Sequence, residues 1–402
     1  MTSNTNNEAL NTWEVDLASR WLGGSVIAAS DESFGEKENL LTPTAANFVP
    51  GRYNYRGEIV DGWETRRRRE GGNDWAVIRL GCPGVITSVD VDTHFFTGNF
   101  PEHCLVEACG VEGYPSEKEL MSESIEWVQI VPRSALKGDT HNIFQVNDKR
   151  RFTHIRLSAF PDGGIARLRV RGQAMPDPRL FDGLTIDLAS QDHGGVLVAS
   201  SDGFYSSASN LNRPDKARTM GEGWETRRRR DDGHDYAVFR LAFPGRVRSI
   251  EIDTAHFKYN ASGAAALSGC LWTDGAPVDA ADWHPLLPKV ALQPDTRHVF
   301  PQAKPSQLIS AVKFDVFPDG GISRLRVWGE IDHQARKKAG NLWWKSMPDN
   351  QATQVLIAAG MQPEQAKEIS MKRADSVEVM RISDTTVWSR VLRMIEGPGH
   401  DG

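Results

Sequence analysis

The string Gly-Trp-Glu-Thr-Arg-Arg-Arg-Arg stands at residues 62–69 and again, unchanged, at 223–230, each time followed by acidic residues and glycine. Five of the eight positions are charged, so hydrophobic patterning alone does not generate a second identical copy. The chain must fold into two like units, each answering the same chemical demand.

The correspondence runs well beyond the arginines. Asp16-Leu-Ala-Ser matches Asp187-Leu-Ala-Ser and Asn39-Leu40 matches Asn210-Leu211 at an offset of 171, whereas Pro83-Gly84 matches Pro244-Gly245 and Asp92-Thr93 matches Asp253-Thr254 at 161. The first copy therefore carries ten extra residues between Asn39 and Asp61, a stretch holding Pro43, Pro50, Gly51 and Gly57, as a surface loop would. Phe160-Pro-Asp-Gly-Gly-Ile matches Phe317-Pro-Asp-Gly-Gly-Ile at 157. Repeats this long are domains with their own cores rather than solenoid units. The expected division is 14–173, 184–330 and a tail over 335–402, with residues 174–183 as linker.

Within each copy the apolar period is two. Ala76-Val-Ile-Arg-Leu, Val85-Ile-Thr-Ser-Val-Asp-Val-Asp and Ile165-Ala-Arg-Leu-Arg-Val-Arg are short, β-branched and interrupted by Pro and Gly. The expected fold is all-β: two tandem jelly-roll sandwiches from an internal duplication, followed by a small α-helical appendage. In the tail, Pro363 reads as a first helical residue and Asp384 as an N-cap. Trp343-Trp344 read as the residues that dock the appendage onto a sandwich or a neighbouring subunit.

Composition limits the partners. A net charge of −6 over 402 residues argues against a nucleic-acid coat, and the arginine runs are local. No apolar stretch is long enough for a membrane span and no signal pattern opens the chain, which reads as cytoplasmic. Cys82, Cys104, Cys109 and Cys270 form no CxxC pair and are expected as buried free thiols.

Alternation along an extended strand predicts Glu64, Arg66 and Arg68 on one face, and Glu225, Arg227 and Arg229 likewise. An arginine fork binds planar carboxylates, and a neighbouring Glu accepts N–H groups; a cross-strand salt-bridge ladder is the purely structural alternative. Asp92 with His94, and Asp253 with His256, stand at strand ends, where a carboxylate and an imidazole suit proton transfer, metal binding or simple loop capping. Phe-Pro-Asp-Gly-Gly-Ile is turn chemistry, with Arg167 and Arg324 placed after it within reach of a ligand.

These three paired motifs, over residues 14–330, resemble the allantoicase family. The resemblance implies paired jelly rolls and the hydrolysis of allantoate to ureidoglycolate and urea. Two departures stand out: His94 is third rather than fourth in its Asp-Thr block, and the family's Gly-Asn-(X)-Pro segment, kept at Gly98-Asn99-Phe100-Pro101, reads Tyr259-Asn260-Ala261-Ser262 in the second copy.

Allantoate carries one carboxylate and two ureido arms on one carbon. Its expected binding residues are Arg66, Arg68, Arg227, Arg229, Asn39, Asn210 and Asn99, with Glu64 and Glu225. His256 with Asp253, or His94 with Asp92, would protonate the departing arm and deliver water to the resulting acyl-imine. No cofactor is expected to be required. The Asp, Glu and His residues near the site keep a divalent metal open, although no close-spaced ligand signature is present. A homo-oligomer is expected. The competing reading is a non-catalytic sandwich binding a small anion or sugar; the tryptophans that would build a sugar platform are not duplicated as the charges are.

Overall fold

The computed structural model describes residues 14–273, 275–372 and 385–398. Asp384 lies outside the described residues. Residues Gly183–Arg336 form one compact unit; Val15–Asp182 form another together with the tail from Lys337.

The strands of the first sandwich are β1 (Val15–Asp16), β2 (Ser25–Ala29), β3 (Tyr53–Asn54), β4 (Gly57–Glu58), β5 (Trp63–Glu64), β6 (Asp74–Asp92), β7 (His103–Cys109), β8 (Val128–Ala135), β9 (His141–Gln145), β10 (Arg151–Phe160), β11 (Gly164–Ile165) and β12 (Arg167–Ala174). All pairings are antiparallel. The long strand β6 organises the sandwich. Its first half pairs with β2 and β10, giving a layer β2–β6–β10–β7–β8; its second half pairs with β12 and β9, giving a layer β1–β12–β6–β9. The Gly81-Cys82-Pro83-Gly84 segment, which reads in sequence as a break between two strands, is the corner where one strand passes from layer to layer. A Cβ at Gly84 would stand 2.3 Å from the Gln173 carbonyl oxygen, so no larger residue fits that corner. Strands Asp235–Asp253, Ile309–Phe317 and Arg324–Ile331 repeat the plan in the second copy.

Alternation along β6 sends Ile86, Val89 and Val91 into the core. Asp90 and Asp92 consequently share the opposite face, flanked in register by Arg169 and Arg167 of β12. This acid–base ladder lies under the loop after residue 39. Arg167 is 1 % exposed; its Nε donates to the Thr44 carbonyl oxygen (2.9 Å) and its Nη1 to that of Asp61 (2.9 Å), while Nη2 reaches Asp61 Oδ2 at 2.6 Å. Arg324 makes the equivalent bonds to Asp215 (2.7 Å) and Glu222 (2.7 Å). The ten additional residues of the first copy therefore fall between Thr44 and Asp61, and the guanidinium closes the loop at either length. Both guanidiniums, placed by the sequence reading within reach of a ligand, are buried and hydrogen-bonded to this loop.

The tail forms helices α1 (His333–Ser346), α2 (Asp349–Ala358), α3 (Pro363–Lys372) and α4 (Thr385–Glu396). Trp343 and Trp344 are fully buried in the core of these helices with Met347, Leu356, Val391 and Ile395. Arg179, in the linker after β12, lays its guanidinium 4.6 Å from the Trp343 ring centre, and Gln351 donates to Glu112 at 2.5 Å. The tryptophans thus build the appendage's core, and polar contacts tie it to the first sandwich.

Burial also sets an acid limit. His154 on β10 is 1 % exposed, and loss of hydration, helped by the charge of Arg79, pushes its imidazole down to about 4 from 6.5. The native state holds it neutral, so its contribution is complete above pH 6.5 and is lost as pH falls from there towards 4. The difference amounts to roughly 3 kcal/mol. His154→Gln is expected to flatten the dependence of unfolding free energy between pH 7.5 and 4.5 by most of that amount; superimposable wild-type and variant profiles would refute it.

Candidate active site

The repeated eight-residue string is a strand for only two residues. Trp63 and Glu64 pair with Ile165 and Gly164, after which the backbone amides of Arg66 and Arg68 are taken by carboxylates, Asp31 Oδ1 (2.9 Å) and Asp162 Oδ2 (2.7 Å). The second copy uses Asp202 (2.8 Å) and Asp319 (2.8 Å) identically. Side-chain acceptors thus replace a strand partner over the arginines.

Each arginine consequently has its own surroundings. Arg68 donates to the buried Asp74 at 2.8 Å and Arg229 to the buried Asp235 at 2.9 Å, so each half-exposed guanidinium is anchored to a buried carboxylate. Arg66 and Arg227 project outward, 76 % and 68 % exposed, with Asp31 at 3.3 Å and Asp202 at 3.5 Å. The Asn39 amide donates to the Gly62 carbonyl (3.0 Å) and that of Asn210 to Gly223 (2.8 Å), holding the start of the string. Glu64 accepts from Asn99 (2.7 Å), and Glu225 from Asn260 (2.7 Å). Burial raises the Glu64 carboxyl above its ordinary range, partly opposed by the Asn99 hydrogen bond.

The two Asp-Thr blocks share a turn but differ in what it carries. In both, the third residue's amide donates to the aspartate, His94 to Asp92 (2.9 Å) and Ala255 to Asp253 (2.8 Å). The fourth residue is left-handed, with φ 70° at Phe95 and 72° at His256, its amide held by Asp139 (2.9 Å) or Asp295 (2.7 Å). A third-position side chain therefore returns to the aspartate and a fourth-position one leaves it. His94 Nδ1 accordingly donates to Asp92 Oδ1 at 2.6 Å. His256 instead donates from Nε2 to the Ala217 carbonyl at 2.9 Å, and among the described residues no hydrogen bond joins it to Asp253.

A residue the sequence reading missed completes the cluster. His141 opens β9 directly opposite Asp92, its Nδ1 lies 2.8 Å from Asp90 Oδ2, and its ring meets that of His94 edge-on at 4.7 Å between centres. One donor atom from each of Asp92, His94 and His141 falls within 4.8 Å of the others. Burial raises the Asp90 carboxyl, and the charge of His141 works against that rise. In the second copy Arg297 stands opposite Asp253 and grips Glu251 through two 2.6 Å bonds. Comparing the copies for identity passes over His141 because its counterpart is an arginine. The signal available was Asp90, two residues before Asp92 and hence on the same strand face.

The fold and the site define an internally duplicated antiparallel β-sandwich protein whose first copy gathers two imidazole–carboxylate pairs at the end of one strand. The allantoicase repeat model matches residues 15–175 and 186–332. Over 317 residues, 79 % of this chain and 94 % of the relative, the sequence is 48 % identical to a probable allantoicase of Nocardia farcinica. It is 45 % identical over 334 residues to one from Streptomyces avermitilis, covering 80 % of this chain and 87 % of that one. The crystal structure of allantoicase from Saccharomyces cerevisiae aligns with a TM-score of 0.68 at 36 % identity, covering 79 % of this chain and 94 % of that one. The chain belongs to the allantoicase family. It is a hydrolase of the kind that cleaves C–N bonds in linear amidines; the helices beyond residue 332 lie outside the family match. No helix among the described residues is long and apolar enough to cross a membrane.

Proposed function

We propose that the first module carries the reaction, with His94, held by Asp92, as its proton carrier. The activity is the hydrolysis of allantoate to ureidoglycolate and urea. The observation that favours the first module is the pairing of His94 with Asp92, for which the second copy offers only Ala255 beside Asp253. Arg66, largely exposed, supplies a guanidinium for the substrate carboxylate. Glu64, fixed by Asn99, accepts N–H from a ureido arm. His94 stands at the start of the loop 93–101 and Asn99 near its end, so one loop carries both the imidazole and the group that orients Glu64.

Urea leaves poorly as an anion. Protonation of the departing nitrogen by His94, while the other arm's nitrogen lone pair pushes from the same carbon, releases neutral urea and leaves an acyl-imine protonated at nitrogen. Water adds to that carbon and gives up one proton, so the sum is allantoate plus water. The assay that tests the reading incubates purified protein with allantoate and follows urea and ureidoglycolate, with allantoin and ureidoglycolate as control substrates. Absence of urea release would leave the non-catalytic binding reading in its place.

Asp92, His94 and His141 are the donor types of a divalent-metal site. Asp92 Oδ1 is committed to the His94 ring and amide, and Asp90 holds His141. The donors left are the second Asp92 oxygen and one nitrogen of each imidazole. We read the cluster as a proton-transfer site without a resident metal because each imidazole is already held through Nδ1 by its own carboxylate. Dialysis against a strong chelator is expected to leave turnover within about twofold, and loss restored by a divalent ion would overturn this. The same reading places the protein in the cytoplasm, in keeping with four buried cysteines that form no disulfide among the described residues, as a homo-oligomer whose size light scattering would give.

A further inference from the structure

We propose that His141, positioned by Asp90, is a second catalytic imidazole that takes the proton from the attacking water. The inference rests on the reading of the first module as an allantoate hydrolase, and it assigns a role to two residues the repeated motifs do not contain.

The strand geometry supplies the arrangement. Asp90 and Asp92 lie two residues apart on β6 and therefore on one face; His141 stands opposite Asp92 on β9 and leans to Asp90, while His94 returns to Asp92. Two imidazoles are thus each fixed through Nδ1 by a separate carboxylate, which leaves each Nε2 as the working atom. The side chains are 38 % and 55 % exposed, so both are accessible to substrate and water. The two aspartate–histidine pairs bring their rings together edge to face, 4.7 Å between centres, at the end of one strand.

The reaction uses two such groups. When His94 protonates the leaving nitrogen, the newly formed urea remains against that imidazole, so water must be deprotonated by another group. As the oxygen of water bonds to the iminium carbon, its proton passes to neutral His141 Nε2 and the C=N π electrons return to nitrogen, giving ureidoglycolate. His94 has then lost a proton and His141 has gained one. Their proximity allows the proton to return, directly or through water, and the cycle closes without another reactant. The second copy has the same strand face but presents Ala255 and an Arg297 locked to Glu251, so neither half of this exchange is available there.

The charged groups facing His141 are Asp90 and Asp92 from β6 and His94 from the following loop, with Arg169 and Arg171 of β12 acting on Asp90. The test uses the full chain. His141→Ala is expected to lower kcat by about 10²-fold or more with KM within about threefold, to remove one limb of the pH profile of kcat, and to recover part of the rate when imidazole is added. Asp90→Asn should lower kcat less and shift that same limb without abolishing it, as a positioning residue would. His141→Gln, which keeps a polar side chain at this half-exposed position, guards against loss of fold, checked by circular dichroism. A His141→Ala or His141→Gln enzyme that is folded, within threefold of wild-type kcat and still bell-shaped in pH would overturn the proposal. Wild-type protein that releases no urea from allantoate would instead bring down the underlying reading.

Discussion

His94→Ala is expected to lower kcat/KM for allantoate by about 10² to 10⁴, whereas His256→Ala leaves it within about threefold. The two histidines occupy adjacent positions of the same repeated block, and the difference follows from backbone geometry. The third residue of the block turns its side chain back to the aspartate that has just accepted its amide. The fourth is left-handed and directs its ring to the Ala217 carbonyl. Asp92→Asn should reproduce most of the His94 loss, because an amide can offer its N–H to the ring and stabilise the wrong tautomer. Asp253→Asn should have little effect on rate. Steady-state kinetics on the four variants decides the matter, and a larger loss at His256 than at His94 would move the reaction to the second module.

Arg167→Met is expected to destabilise the first sandwich by about 2 to 4 kcal/mol, the cost of leaving several carbonyl acceptors and a half-buried carboxylate without their guanidinium, or roughly 10 °C in its melting temperature. The guanidinium donates to Thr44, Asp61 and Ala166 carbonyls and to the Asp61 carboxylate, and methionine fills much of the volume while satisfying none of these acceptors. Arg167→Lys should recover little, because one ammonium does not span two loop anchors. Calorimetry that placed Arg167→Met within 1 kcal/mol of wild type would show that the loop is held by something else.

Much of the architecture is legible in the chain itself. The duplicated string, the period-two segments and the change of offset between the copies specify two like β-sandwiches and a long loop in the first. Where the expectations fail, a side chain has taken over a backbone duty. Asp31 and Asp162 capture the amides of Arg66 and Arg68, so the string is a two-residue strand followed by a carboxylate-bound turn. The structure adds to the expected ligand groups a set of internal anchors: Asn39 and Asn210 donate to glycine carbonyls, and Arg68 and Arg229 to buried aspartates. Pro83-Gly84 bends one strand instead of separating two.

By itself the sequence determined the duplication, the β character and the residue types at the site, because repetition and periodicity are properties of the chain alone. Only the tertiary structure decided which charges reach solvent, that His94 and not His256 meets its aspartate, and that His141 joins from a strand some fifty residues away. Those outcomes depend on cross-strand register and on the sign of φ at a single residue, and neither is written in the spacing of a motif.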